Sequence, residues 1–61
     1  MNDTQEKRQG VITSIRGSVV DARFPGPIPP MFNVLEGGDE GDAVMEVVTH
    51  LDEHTVRSIA L

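Results

Sequence analysis

The side chains that could do chemistry are concentrated in one acidic, glycine-rich segment. "GGDEGD" at residues 37–42, together with the residue before it, places four carboxylates close together: Glu36, Asp39, Glu40 and Asp42. Carboxylate oxygens suit calcium, but an EF-hand loop needs them at alternating positions and a bidentate Glu at the twelfth. Asp39, Gly41 and Glu46 do not reproduce that spacing. The pattern therefore predicts a solvated loop, with weak cation binding as the minor alternative.

The two histidines are the next candidates, as metal ligands. His50 and His54 are four residues apart, which would suit one face of a helix, but here they flank a turn between strand-like segments. The sequence implies no third ligand, and the absence of cysteine excludes a Cys₄ or Cys₂His₂ zinc site. We expect both histidines to have surface or packing roles.

Catalytic patterns are also missing from the sequence. Glu46 falls in the middle of a strand-like segment and Asp52 and Glu53 on a turn, so nothing indicates a cleft with paired carboxylates. The glycines at 37–41 are followed by acidic residues rather than by the Gly-Lys-Ser/Thr of a P-loop. The strand–turn–helix context of a nucleophile elbow is lacking at three serines, Ser14, Ser18 and Ser58. We predict no catalytic, cofactor-binding or metal-binding residue in this chain.

Composition narrows the classes of partner. The chain has 61 residues, a net charge of −5 and only five Lys and Arg, which argues against nucleic acid because binding rests on neutralised phosphates. No apolar run approaches the roughly 20 residues of a membrane helix. The polar start, "MNDTQEKRQG", has no apolar segment of the signal-peptide type. We expect a soluble, intracellular protein with no membrane insertion.

The apolar pattern predicts strands rather than helices. The segment 10–15 is rich in β-branched residues and, with 19–24, flanks a turn at 16–18. Two more strand-like segments, 43–51 and 55–61, flank a turn at 52–54. Four prolines at 25–30 exclude helix and central strand, and 31–37 is a brief apolar patch. Residues 1–9 are predicted to be a flexible arm. Short strands at this spacing are typical of a small antiparallel barrel or sandwich.

Alternation within 43–51 indicates which face meets the core. Met45, Val47, Thr49 and Leu51 form the more apolar face, so we expect them inside. The opposite face is expected to carry the alternate residues, Val44, Glu46, Val48 and His50.

Three stretches in order resemble a known family. "GVITSIRGSVVDARF", "IPPMFNVLE" and "MEVVTHLDEHTVRSIAL" are similar to the N-terminal β-barrel domain of the β subunit of F-type ATP synthase. The likeness covers residues 10–61, with Ser18 where that family often has Pro or Ala. It implies an all-β, small antiparallel β-barrel of five to six short strands, with residues 10–61 as the barrel domain after the arm at 1–9.

The resemblance also implies a function without catalysis. Barrels of alternating α and β subunits pack into the crown of the F1 hexamer, in a proton- or sodium-driven ATP synthase on the inner, cytoplasmic face of an energy-transducing membrane. The parent subunit hydrolyses and synthesises ATP, but its sites for ATP, ADP and magnesium lie beyond residue 61. This chain is then a structural assembly domain whose partners are α-subunit barrels. The alternative is an independent small barrel that binds a ligand or an oligonucleotide.

Two further expectations depend on the barrel. In the second strand, Val20, Ala22 and Phe24 would fill the interior, whereas Asp21 and Arg23 would face outward, either at a subunit contact or in solvent. The family's barrel continues to a final strand beyond "SIAL". Without that strand an open edge would remain, so we expect self-association of the isolated domain, with 55–61 as a participating edge strand.

Overall fold

The computed structural model describes residues 9–38 and 41–61, and in these ranges the regular structure consists of strands without any helix. The strands are β1 (Val11–Arg16), β2 (Val19–Arg23), β3 (Val34–Gly37), β4 (Ala43–His50) and β5 (Thr55–Ala60). They form a single antiparallel sheet in the order β1-β2-β5-β4-β3. The sheet curls into a half-barrel, which confirms the predicted all-β, barrel-type fold.

Short connections join β1 to β2, β3 to β4 and β4 to β5, whereas β2 and β3 are joined by a longer segment. β1 and β2 form the predicted hairpin, with Gly17 at the first of two turn positions and a φ of 59°. Glycine adopts positive φ without steric penalty, and the type II′ hairpin turn requires it at this position. β4 and β5 form the second predicted hairpin. β3, which the sequence left unassigned, pairs with β4 across the acidic loop.

The proline segment covers part of the core. Residues 25–30 contain no helix or strand, as the four prolines predict. They connect β2 to β3, which lie on opposite sides of β5 in the sheet. Pro29 is fully buried, and Ile28 packs against the core cluster. This segment thus adds apolar contacts that a five-stranded sheet of this size does not provide from its own residues.

The core lies on the concave, inner face of the curled sheet. Six hydrophobic side chains of the described residues are buried there: Val20, Ala22, Phe24, Met45, Val47 and Val56. The prediction for β2 is therefore confirmed, because its interior residues are the ones that the alternation indicated. The ring of Phe24 lies against Gly10, where a Cβ would come within 2.8 Å of it. The hydroxyl of Ser58 is also buried, without a hydrogen-bond partner.

A β-bulge makes the predicted faces of β4 wrong beyond Val47. Met45 and Val47 are buried as expected, but the pairing register shifts between Val47 and Thr49. A bulge inserts one extra residue and so reverses the alternation. Thr49 therefore pairs with Arg57 on the outer face, and Leu51 is exposed. β1 has a second bulge between Ile12 and Ser14.

The expected position of the C-terminal strand is also wrong. β5 pairs with β2 on one side and with β4 on the other, so its backbone groups are engaged along both edges. The edges of the sheet are β1 and β3. The arm expected at 1–9 falls almost wholly on residues 1–8, which lie outside the described residues, and it stays a prediction.

Burial predicts opposite outcomes for two valines that become aspartate. Val47 is fully buried, so Val47→Asp places an unpaired charge in the core, at a cost of several kcal/mol. A small domain is stable by only about 5–15 kcal/mol, so the cooperative transition in thermal melting should disappear or shift far down. Val11, in β1, is 68% exposed and lies opposite Arg23. Val11→Asp should therefore melt close to the unsubstituted chain, and equal losses would contradict the assignment of faces.

Candidate functional site

The acidic loop connects β3 to β4, and the structure describes its two ends. The backbone N–H of Gly41 donates to the carbonyl of Gly38 at 3.2 Å, and both glycines have positive φ. Glu36 and Asp42 are exposed, and Asp39 and Glu40 lie outside the described residues. Within residues 9–38 and 41–61, His and acidic side chains form no group of three that could hold a metal ion.

The histidines hold the proline segment, which is the packing role expected of them. The Nε2 atom of His50 lies 2.8 Å from the carbonyl oxygen of Pro29, and the Nδ1 atom of His54 lies 3.2 Å from that of Phe24. A carbonyl only accepts, so each ring nitrogen must carry the proton and donate. The N–H of Phe24 also donates to the carbonyl of His54. The bulge in β4 brings His50 to the inner face, where it reaches Pro29.

The carboxylates considered for an acid–base pair lie on different elements, Glu46 in a strand and Asp52 and Glu53 in a turn. Glu46 lies on the outer face of β4, opposite Ile59 and Val34. Asp52 caps the β4–β5 turn, where its Oδ1 accepts the N–H of His54 at 2.8 Å. This hydrogen bond lowers the pKa of Asp52 from its usual 3.8. Glu53 is exposed on the same turn.

An ion pair on the outer face joins β2 to β5. Asp21 lies directly opposite Arg57, whose Nε and Nη2 donate to its two carboxylate oxygens at 2.9 and 3.0 Å. Two parallel bonds of this kind give a specific geometry. Asp21 is only 7% exposed, so an interpretation of this residue as solvated is wrong. Arg23, two residues further on, is exposed and takes no part in the pair.

This pair shifts the protonation equilibria of both partners. The hydrogen bonds from Arg57 lower the pKa of Asp21 below 3.8. Burial opposes that shift, while the charges of Arg57 and Arg16 add to it. The pKa of Arg57 rises for the same reason. Sequence spacing could not reveal this pair, because its members are 36 residues apart and become neighbours only through the β2–β5 register.

A cleft runs along the seam where the two edge strands face each other. Its volume is about 820 Å³, and its apolar walls include Ile12 from β1 and Leu35 from β3, with Phe24 and Met45 among its lining residues. The seam narrows at Gly37, where a Cβ would lie 3.1 Å from Met45 Cε and 3.8 Å from Ile12 Cδ1. The cleft is thus the incompletely covered side of the core.

The turn before β3 contains a strained, exposed aromatic residue. Asn33 N–H donates to the Pro30 carbonyl, which closes a turn with Phe32 in its third position at a φ of 68°. Glycine or asparagine is the usual residue in that conformation. The N–H of Phe32 bonds to Val47, while its side chain is 66% exposed. The hydrogen bond to β4 holds the backbone of Phe32 in this conformation. Because the aromatic ring is mostly exposed, its packing does little to offset the strain.

Comparison with known proteins fits this geometry. Residues 12–61 match the family described as "ATP synthase alpha/beta family, beta-barrel domain". The chain belongs to this family. Among its relatives is ATP synthase subunit beta 1 of Chlorobaculum tepidum, which is 43% identical over 61 residues, or 100% of this chain and 13% of that subunit. ATP synthase subunit beta 2 of Polaromonas naphthalenivorans is 52% identical over 52 residues, or 85% of this chain and 11% of that subunit.

The match to the ATP synthase alpha/beta family therefore concerns a small part of each relative. ATP synthase subunit beta 2 of Chlorobium luteolum is 46% identical over 55 residues, which are 90% of this chain and 12% of that subunit. The resemblance predicted from three sequence motifs is confirmed. Among the described residues of this family barrel, no helix has the length and apolar character needed to cross a membrane.

The Asp21–Arg57 pair predicts a pH dependence of stability. At neutral pH Asp21 is ionised in both states, and the pair contributes in full. The pKa of Asp21 is lower in the folded state than its usual 3.8, so the unfolded chain takes up the proton first as the pH falls. Proton uptake by the unfolded chain favours unfolding. The contribution of the pair to stability is therefore lost as the pH approaches the pKa of the folded state. Urea unfolding across a pH series should therefore show that the stability difference between the unsubstituted barrel and Asp21→Asn shrinks in acid. A difference independent of pH would contradict this.

The turn at Phe32 predicts that glycine suits this position better than alanine. Alanine retains the penalty for positive φ, which is about 1 kcal/mol. Phe32→Gly should therefore unfold at higher urea concentration than Phe32→Ala, by roughly that free energy. The loss of the exposed ring is shared by both variants and cancels in the comparison. Equal stabilities would mean that the backbone at residue 32 is not held in this conformation.

Proposed function

We propose that this chain is a structural assembly module that packs beside α-subunit barrels in the crown of an F1 head. The observation that carries the proposal is the extent of the likeness. β-subunit relatives match along 85–100% of the chain, and the family assignment falls on the barrel domain. The fold is consistent with this proposal, because all five strands of the described residues belong to one curled sheet, as expected of a barrel domain.

In this proposal the chain takes no part in nucleotide chemistry. ATP, ADP and magnesium would be bound by other parts of a β subunit, and this barrel would contribute no catalytic or cofactor ligand. The sequence supports this, since its glycine loop is followed by carboxylates, which repel phosphate, rather than by a P-loop lysine. The assembled complex would be driven by protons or sodium ions, with the barrel at the periphery of the membrane on its cytoplasmic side.

The structure offers features that suit a rigid collar rather than a moving part. The long connection between β2 and β3 is fixed by the hydrogen bonds of His50 and His54 and by the burial of Pro29. The Asp21–Arg57 pair and the antiparallel register fix the two central strands β2 and β5. A module with few mobile connections can hold neighbours in place while other domains change shape.

The direct test is association with the N-terminal barrel of an ATP synthase α subunit. Titration followed by calorimetry and sedimentation should give a saturable complex, because the proposal makes that barrel the natural neighbour. Val47→Asp serves as the control, since a chain that has lost its fold should not bind. Absence of a complex at any concentration reached would contradict the proposal.

Two further titrations separate this function from the alternatives. Mg-ATP should give no heat of binding, because the proposal places the nucleotide site outside this chain. A labelled single-stranded oligonucleotide should not bind either, since the chain is acidic. Saturable micromolar binding of Mg-ATP would overturn the non-catalytic role, and saturable binding of the oligonucleotide would favour an independent binding module.

A further inference from the structure

Charges on the outer face of the sheet are segregated by strand. The three arginines of the described residues lie on β1, β2 and β5, at Arg16, Arg23 and Arg57. Carboxylates occupy the other side, at Glu36 on β3, Glu46 on β4 and Asp42 just before β4. We name these two groups the basic face and the acidic face. The whole chain has a net charge of −5, so a basic face is not expected from composition.

The strand register places the three arginines, Glu36 and Glu46 on the outer face. Arg16 pairs with Val19, which alternates with Asp21 and Arg23 along β2. Directly paired residues of neighbouring strands lie on the same face of a sheet. Glu46 pairs with Ile59, two residues from Arg57 on β5. Glu36 pairs with Val44, two residues from Glu46.

The net charge of the basic face stays positive despite the carboxylate within it. The guanidinium of Arg57 neutralises the charge of Asp21 through two hydrogen bonds. Arg16 and Arg23 are exposed and form no salt bridge in the described part of the chain. In the sheet order β2 and β4 lie on opposite sides of β5, so the two groups occupy opposite halves of the outer surface.

Each face also exposes an apolar side chain. Val11 on β1 lies opposite Arg23 and is 68% exposed, and Val34 on β3 lies opposite Glu46 and is 60% exposed. Burial of apolar area supplies affinity, while complementary charges set the orientation. Each face therefore combines an exposed apolar side chain with charged groups, and the charges of the two faces are opposite in sign.

We propose that copies of this chain associate head to tail, with the basic face of one copy against the acidic face of the next. Every copy carries both complementary halves, so the partner is a second copy of the chain. Such a contact is heterologous, and it leaves one basic and one acidic face free for further copies. This inference concerns self-association and does not depend on the proposed role beside α subunits.

Salt distinguishes this contact from one governed by net charge. Copies that carry −5 repel each other, and screening of that repulsion would strengthen association as salt increases. Complementary faces predict the opposite. Sedimentation of the full 61-residue chain, over a micromolar to millimolar series, should show association that weakens by about tenfold or more between roughly 0.02 M and 0.5 M salt. A monomer throughout, or association that strengthens with salt, would overturn the proposal.

Charge-reversed variants test the pairing of the two faces. Arg16→Glu/Arg23→Glu makes both faces acidic, and Glu36→Lys/Glu46→Lys makes both basic. Each variant alone should stay monomeric at low salt, whereas an equimolar mixture of the two should associate. Arg57 is left in place because it pairs with Asp21. Circular dichroism checks folding, and the single variants Arg23→Glu and Glu36→Lys replace the doubles if either has unfolded.

A matched control separates the acidic face from net charge. Glu53 is exposed on the β4–β5 turn, outside both faces, and Glu53→Lys changes the net charge by the same amount as Glu36→Lys. Glu36→Lys should weaken self-association at low salt, and Glu53→Lys should leave it unchanged or strengthen it. Equal effects of the two variants, or a mixture that fails to associate, would overturn the head-to-tail arrangement.

Discussion

The pairing of β5 along both of its edges is the constraint on which the rest of this structure depends. β1–β2 and β3–β4 are separate hairpins, and β5 is the strand that joins them into one sheet. Val56 and Ser58, on the inner face of β5, are fully buried between the two halves. Arg57, on the outer face, fixes the register to β2 by its ion pair with Asp21. β5 thus contributes to the core with one face and to the ion pair on the outer surface with the other.

The two bulges interrupt the alternation of inward and outward side chains in β1 and β4. In β1, the bulge between Ile12 and Ser14 places Ile12 and Ile15 opposite Ala22 and Val20, on the inner face. In β4, the bulge after Val47 turns the following residues over, so that His50 faces inward. Bulges also bend a strand and increase its local twist, which suits a sheet that curls strongly.

A small core of this kind needs cover from outside the sheet. The proline segment provides it on one side, with Pro29 buried and Ile28 against the core. The seam between β1 and β3 stays open, and the half-exposed Ile12 and Leu35 mark its walls. The chain matches only 13% of its relative from Chlorobaculum tepidum, and the family assignment is to a β-barrel domain.

The sequence by itself determined four of the five strands, two hairpins, the lack of regular structure at the prolines and the interior residues of β2, because these depend on local propensity and on uninterrupted alternation. Its motifs also determined the family. Only the tertiary structure decided the central place of β5, the turned-over end of β4, the exposed strain at Phe32 and the pairing of Asp21 with Arg57. Each of these depends on which distant strands become neighbours and in which register. Such choices are made by the packing of the whole sheet, and no short stretch of sequence specifies them.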